Sequence, residues 1–252
     1  MADSSSCSSR STFAVMVGLS QILGLGSVVL IGVWMGHYHG GFAWDGSAYQ
    51  FNVHPLCMVL GLVFLQGDAI LVYRVFRNEE KKNVKMLHGL IHLLALVVSI
   101  VGVTAVFENH AASNITHMYT LHSWCGIITL ILFFSQWIMG LLFFLFPVAS
   151  SRLRAAYLPV HVVCGVVLLV MSIGTSLLGI TEKLLFSILT TYSSFPPEGV
   201  FANILGLVLV SFGVVVGYLI TKEEYRRPPN PEELSLSVHF KTLTETGSPT
   251  TP

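Results

Sequence analysis

Read for its alternation of apolar and polar positions, the chain falls into six long apolar runs separated by short polar ones. The runs cover about 13–36, 51–73, 85–107, 119–146, 158–180 and 199–221. Each can cross a bilayer as a helix, since about 20 residues at roughly 1.5 Å per residue cover about 30 Å of hydrocarbon. None shows the period-two alternation of a membrane strand, and an open sheet could not satisfy its backbone in lipid. The pattern predicts an all-α integral membrane protein: a six-helix membrane domain over 13–221, with short tails at 1–12 and 222–252. The second tail is polar and rich in proline, and is expected to be disordered. The first run is too long for a signal-peptide core and lacks a small-residue cleavage site, so it is expected to remain as the first spanning helix.

Composition agrees. Apolar residues make up 53% of the 252 and charged residues 10%, where a soluble domain would carry about a quarter charged. The formal net charge is zero, and no nucleic-acid partner is expected. Where the charges lie is more informative than their sum. Of the 13 Lys and Arg, Arg10, Arg74, Arg77, Lys81, Lys82, Lys85, Arg152, Arg154, Lys222, Arg226, Arg227 and Lys241 fall on one side of the six-helix layout, and Lys183 alone falls on the other. By the positive-inside rule both termini are cytosolic. The sequon Asn114-Ile115-Thr116 then lies in a luminal loop, in agreement. Cys7 is in the first tail, and Cys57, Cys125 and Cys164 lie inside apolar runs, so no disulfide framework is indicated.

Four of these runs contain a histidine, an expensive residue in hydrocarbon. With the orientation set by charge, His54 and His122 sit at one luminal depth, and His88 and His161 at one cytosolic depth. Depth pairs His54 with His122 and His88 with His161. Three of the four open a His-x-x-Cys pattern (His54/Cys57, His122/Cys125, His161/Cys164), an echo of a duplicated helix hairpin. Two imidazoles facing each other across a helix bundle are what a b-type haem needs. No Cys-x-x-Cys-His occurs, so covalent attachment is excluded. Small residues beside the ligands (Gly89, Cys57, Cys125, Gly126, Cys164, Gly165) would let a flat macrocycle approach the backbone. Two non-covalent haems, one per leaflet, would make a stepping route for electrons, held by a four-helix bundle of helices 2 to 5.

A lone buried histidine is as readily a packing residue, but four at two matched depths are hard to reach by packing alone. His92, at i+4 from His88, is expected to hydrogen-bond within the bundle. His37, His39 and His117, in or beside luminal loops, and His239 in the tail are expected to be exposed. Trp34, Trp44 and Tyr49 read as interfacial belt residues. Gly18, Gly24, Gly26, Gly32 and Gly36 on the first helix suit close helix packing, and a homodimer contact is the other use of that face. A metal transporter would need histidines at successive depths with acidic partners midway; here they form two layers with an apolar middle.

The six helices, the four histidines, "LHSW" and "FNVHPLCMVLGLVFLQGDAILVYRVFR" resemble the cytochrome b-561 family of ascorbate-dependent transmembrane reductases. The resemblance implies that cytosolic ascorbate is the donor and monodehydroascorbate, or in related members a ferric chelate, the luminal acceptor. It also implies residence in the membrane of secretory, chromaffin-type vesicles. On the cytosolic side it places ascorbate at Lys81, Lys85 and Arg154, and a haem propionate at Arg74. On the luminal side it places the substrate at His110 and the haem propionates at His117, Met118, Tyr119 and Thr120, with Glu182 serving the same haem.

Overall fold

The computed structural model describes residues 2–146 and 148–228. These form an all-α membrane protein with six spanning helices: α1 (Ser9–Tyr38), α2 (Ala48–Val75), α3 (Lys81–Ala112), α4 (Leu121–Leu145), α5 (Ser151–Tyr192) and α6 (Pro197–Thr221). The helices outrun the apolar stretches that announce them. α3 has 32 residues and α5 has 42, because a helix need not stop where hydrocarbon stops, and its polar ends are solvated or capped. Ser150 caps α5 by accepting from Leu153 N–H at 3.3 Å, and near the far end Ile188 leaves helical geometry (φ −137, ψ 24). The helix leading into α1 begins at Ala2, so nearly all of the 1–12 tail continues the first helix. The 222–252 tail also departs from expectation where it is described. Glu223–Tyr225 makes a 3-10 turn that buries Tyr225 against Phe13, 4.9 Å between ring centroids. The rest of that tail, with His239 and Lys241, lies outside the described residues.

Packing is uneven, and the unevenness positions the site. The largest apolar core joins α1, α2, α5 and α6 through residues such as Trp34, Val63, Phe64, Leu205, Leu209 and Phe212. The bundle of α2 to α5 has a smaller core, Leu62, Ala95, Leu96, Phe133 and Leu168, with histidines above and below it. α2 carries a π-helical segment, Val59–Leu65. Within it Gly61 presses on α3, where a Cβ would stand 2.8 Å from the Ala95 carbonyl. Of the α1 glycines, Gly24 meets Phe64 and Phe212 closely, while Gly18, Gly26 and Gly36 face open space. The outer surface is apolar, with Ile22 and Leu207 largely exposed, as a lipid-facing belt requires.

Both ends are tied by polar contacts. At the basic end Arg74 donates to the carbonyls of Lys222 and Ile220, Arg77 to that of Glu224 at 3.1 Å and Arg227 to that of Glu79 at 2.5 Å. At the opposite end two expectations are corrected. Trp34 is 1% exposed rather than interfacial, and its indole donates to Glu198 on α6 at 3.0 Å. His39 is half-buried rather than solvent-facing: Nε2 stands 2.9 Å from the Glu198 carboxylate, with the ring edge-on to Trp34 at 5.7 Å. Trp44 and Tyr49 remain exposed.

Burial, with Lys183 adding to it, holds His39 below its usual value of 6.5 against the opposing pull of Glu198. The unfolded chain therefore binds this proton more readily, and His39 contributes stability that is lost as pH falls below about 6.5. We expect the thermal midpoint in detergent to drop between about pH 7 and 5, and His39→Gln to flatten that drop. An identical slope in the variant would show that this contact plays no part.

Candidate functional site

The structure brings the four histidines together in the two pairs that depth suggests. His54 on α2 faces His122 on α4 with ring centroids 6.1 Å apart and planes at 86°. His88 on α3 faces His161 on α5 at 6.2 Å and 65°. Three rings are held the same way. His54 Nδ1 donates to Gly102 O on α3 at 3.1 Å, His122 Nδ1 to Thr175 O on α5 at 2.9 Å, and His88 Nδ1 to Ala69 O on α2 at 2.8 Å. A carbonyl only accepts, so Nδ1 carries the proton and Nε2 keeps its lone pair, the arrangement that prepares an imidazole for a metal. His161 Nδ1 is buried without a partner.

The spacing fits one metal between each pair. With about 2 Å from nitrogen to metal and roughly 1 Å from nitrogen to ring centre, two opposed imidazoles sit about 6 Å apart. Glycines make room for the rings. A Cβ at Gly179 on α5 would stand 2.7 Å from His122 Cε1, and one at Gly140 on α4 would stand 3.3 Å from His161 Cε1. Gly89 and Gly165, expected to flank the ligands, have no neighbour within 4 Å of a built Cβ. Cys57, Cys125 and Cys164 are free thiols.

Beside the His54/His122 pair lies a cavity of about 580 Å³. Its lining includes both histidines, His110, His117, Met118, Tyr119, Thr120 and Glu182, so the residues expected at this end converge. The loop before α4 is shaped by Met118 at φ 58, and Thr120 caps α4 by accepting from Ser123 N–H at 3.2 Å. The Thr120 hydroxyl also reaches Glu182 at 3.3 Å. His117 lines the cavity, stacked on Phe107 at 4.9 Å and on His110 at 5.6 Å. Lys183 lies over the Phe51 ring at 4.6 Å.

At the basic end, Lys85 donates to Phe144 O at 3.2 Å. Lys81 lies close enough to Lys85, Arg227 and Arg154 to feel their charges, and Lys85 close enough to feel that of Arg154. Arg227 was not legible as a site residue. It sits past the last helix in a stretch read as tail, yet its Nε is buried without a partner. Tyr73 packs edge-on to His88 at 5.4 Å. His92 does not make the hydrogen bond expected of it: its Nδ1 is buried and unpaired, and the ring packs against His88 at 4.5 Å and Phe133 at 5.4 Å.

Residues 53–187, which hold all four histidines, match the eukaryotic cytochrome b561 family. The chain belongs to that family. It is 57% identical over 233 residues to the transmembrane ascorbate-dependent reductase CYB561 of Sus scrofa, covering 92% of each chain. To the protein of that name in Mus musculus it is 52% identical over 245 residues, covering 97% of this chain and 98% of that one. The plasma membrane ascorbate-dependent reductase CYBRD1 of Rattus norvegicus is 41% identical over 221 residues, 86% of this chain and 77% of that one.

A cytochrome b561 implies b-type haem, and the chain's residues fit it. The histidine pairs have the separation of two imidazoles that share one iron, three of the four rings turn Nδ1 away to a backbone carbonyl, and glycine rather than a side chain lies against two of the rings.

Proposed function

We propose that the chain carries single electrons across a vesicle membrane, from cytosolic ascorbate to luminal monodehydroascorbate, with the basic end and both termini cytosolic. The observation that carries this reading is the two facing histidine pairs on four consecutive helices. His88 and His161 would hold one non-covalent b-type haem, and His54 and His122 the other. Bound there, haem would supply one-electron redox chemistry. The names of the relatives support ascorbate as donor.

At the cytosolic end, Lys81, Lys85 and Arg154 attract the ascorbate anion, which leaves as monodehydroascorbate after giving up one electron and one proton. Arg74 and Arg227 stand at the same end with further N–H groups for a propionate. At the luminal end, His110, stacked on His117, offers a hydrogen-bonding edge to the acceptor, which takes one electron and one proton to become ascorbate. His117, Met118, Tyr119 and Thr120, with Glu182, border the luminal haem. Among the described residues no three His, Cys, Asp or Glu side chains converge as a metal site, and the histidines face one another within layers. That arrangement favours a relay over a metal-translocation path.

The test is reconstitution of the holoprotein in vesicles with the acceptor trapped inside and ascorbate added outside. Reduction of trapped monodehydroascorbate supports the reading. Trapped ferric chelate reduced in its place would make the chain a ferric reductase on the same relay, and no reduction of either would contradict it. The donor site has its own test. Replacing Lys85 and Arg154 together by alanine removes two charge contacts of about 0.7 kcal/mol each, and should weaken reduction by ascorbate about tenfold. Reduction by dithionite should be unaffected; equal slowing with both donors would place the damage at the haem.

A further inference from the structure

The middle between the two histidine layers is not the wholly apolar one that the sequence leads one to expect: it holds a buried polar bridge that electron transfer as described does not use. Gln66 on α2 is 1% exposed and Ser172 on α5 is 3% exposed. The Gln66 amide pairs at every atom only with its nitrogen toward α5. Nε2 then donates to Ser172 Oγ at 3.2 Å and to Leu62 O at 2.7 Å, while Oε1 accepts from Leu169 N–H at 3.0 Å. The Ser172 hydroxyl donates to Leu168 O at 2.8 Å. Such groups are costly in hydrocarbon unless paired, and here all are paired. Two apolar side chains would pack the same helices without that risk.

The position of the bridge gives it a role. Gln66 directly follows the π-helical segment Val59–Leu65, a feature that resets the rotation of a helix and recurs at functional sites. Three residues past Gln66 is Ala69, whose carbonyl accepts from His88. Three residues past Ser172 is Thr175, whose carbonyl accepts from His122. α2 and α5 cross the membrane in opposite directions, so Ala69 lies about 4.5 Å from the bridge toward the basic end and Thr175 as far toward the other. One amide–hydroxyl contact thus sets the relative height and rotation of two carbonyls that orient histidines of different pairs.

We propose that Gln66 and Ser172 are positioning residues that hold the imidazoles of both histidine pairs in orientation together, by locking the Ala69 and Thr175 carbonyls to each other across the bundle. This rests on the reading of each pair as a haem site. The orientation of an axial imidazole is reported by the low-spin ferric EPR signal of its haem, whether or not substrate turns over.

The experiment compares EPR spectra and haem content of the purified, oxidised full-length protein with those of Ser172→Ala, Gln66→Leu and Ser99→Ala. Ser99 is an equally buried hydroxyl that bonds only within its own helix, to Ala95 O at 2.7 Å. We expect Ser172→Ala to keep both haems and to shift both low-spin signals, Gln66→Leu to shift both further, and Ser99→Ala to shift neither. Two unchanged signals in Ser172→Ala, a shift confined to one, or the same shifts in Ser99→Ala would overturn the proposal. Fewer than two haems in the unaltered protein would instead overturn the reading beneath it.

Discussion

His88→Ala is expected to leave one haem per chain and to abolish reduction by ascorbate. The His88 ring is fixed by its bond to Ala69 O and faces His161 at 6.2 Å; without it His161 has no opposing ligand. The His54/His122 pair keeps its own carbonyl partners, Gly102 more than three turns along α3 from His88 and Thr175 on α5, so that haem should remain and still respond to dithionite. Haem content by pyridine haemochrome, followed by addition of each reductant, reads both halves. Loss of both haems in the single variant would contradict two sites with separate ligand pairs.

Gly179→Ala should give the opposite phenotype. The added Cβ would stand 2.7 Å from His122 Cε1 and 3.0 Å from its Nδ1, so the ring must leave the place where it bonds Thr175 O at 2.9 Å. Alanine is favoured over glycine by about 0.8–1 kcal/mol within a helix, so backbone destabilisation does not explain a loss. The variant should lose the haem of the His54/His122 pair, keep that of the His88/His161 pair and remain reducible by ascorbate, yet fail to reduce an acceptor trapped inside vesicles. A variant that retains both haems and full transmembrane transfer would show that the ring does not need the space Gly179 leaves.

How far the sequence alone reaches differs between the ligands and what holds them. Six apolar runs imply six spanning helices because hydrocarbon leaves the backbone no alternative, and the alternating placement of Lys and Arg sorts their ends. His54, His88, His122 and His161 stand out because an imidazole in lipid needs a reason. The groups that orient them do not stand out: Ala69, Gly102 and Thr175 act through backbone carbonyls, which every residue possesses. Gly140 and Gly179 matter through a missing side chain in helices where many glycines do nothing comparable; Gly18 and Gly26 face open space. Arg227 does not stand out in the sequence because a polar, proline-rich segment reads as tail, whereas the burial of Tyr225 draws it back onto the basic end. Trp34 and His39 differ from expectation for a related reason. Trp34 stands at the end of an apolar run, which suggests the interface, and His39 beside a luminal loop, which suggests solvent; only packing against Glu198 from α6 draws them inward.

The most direct test of the account is the haem-to-protein ratio of the purified protein, followed by its spectrum after ascorbate is added to the oxidised sample. Two haems per chain, with a reduced b-type spectrum on ascorbate addition, is the result the two facing histidine pairs predict. One haem or none, or two haems that ascorbate leaves oxidised, would contradict it.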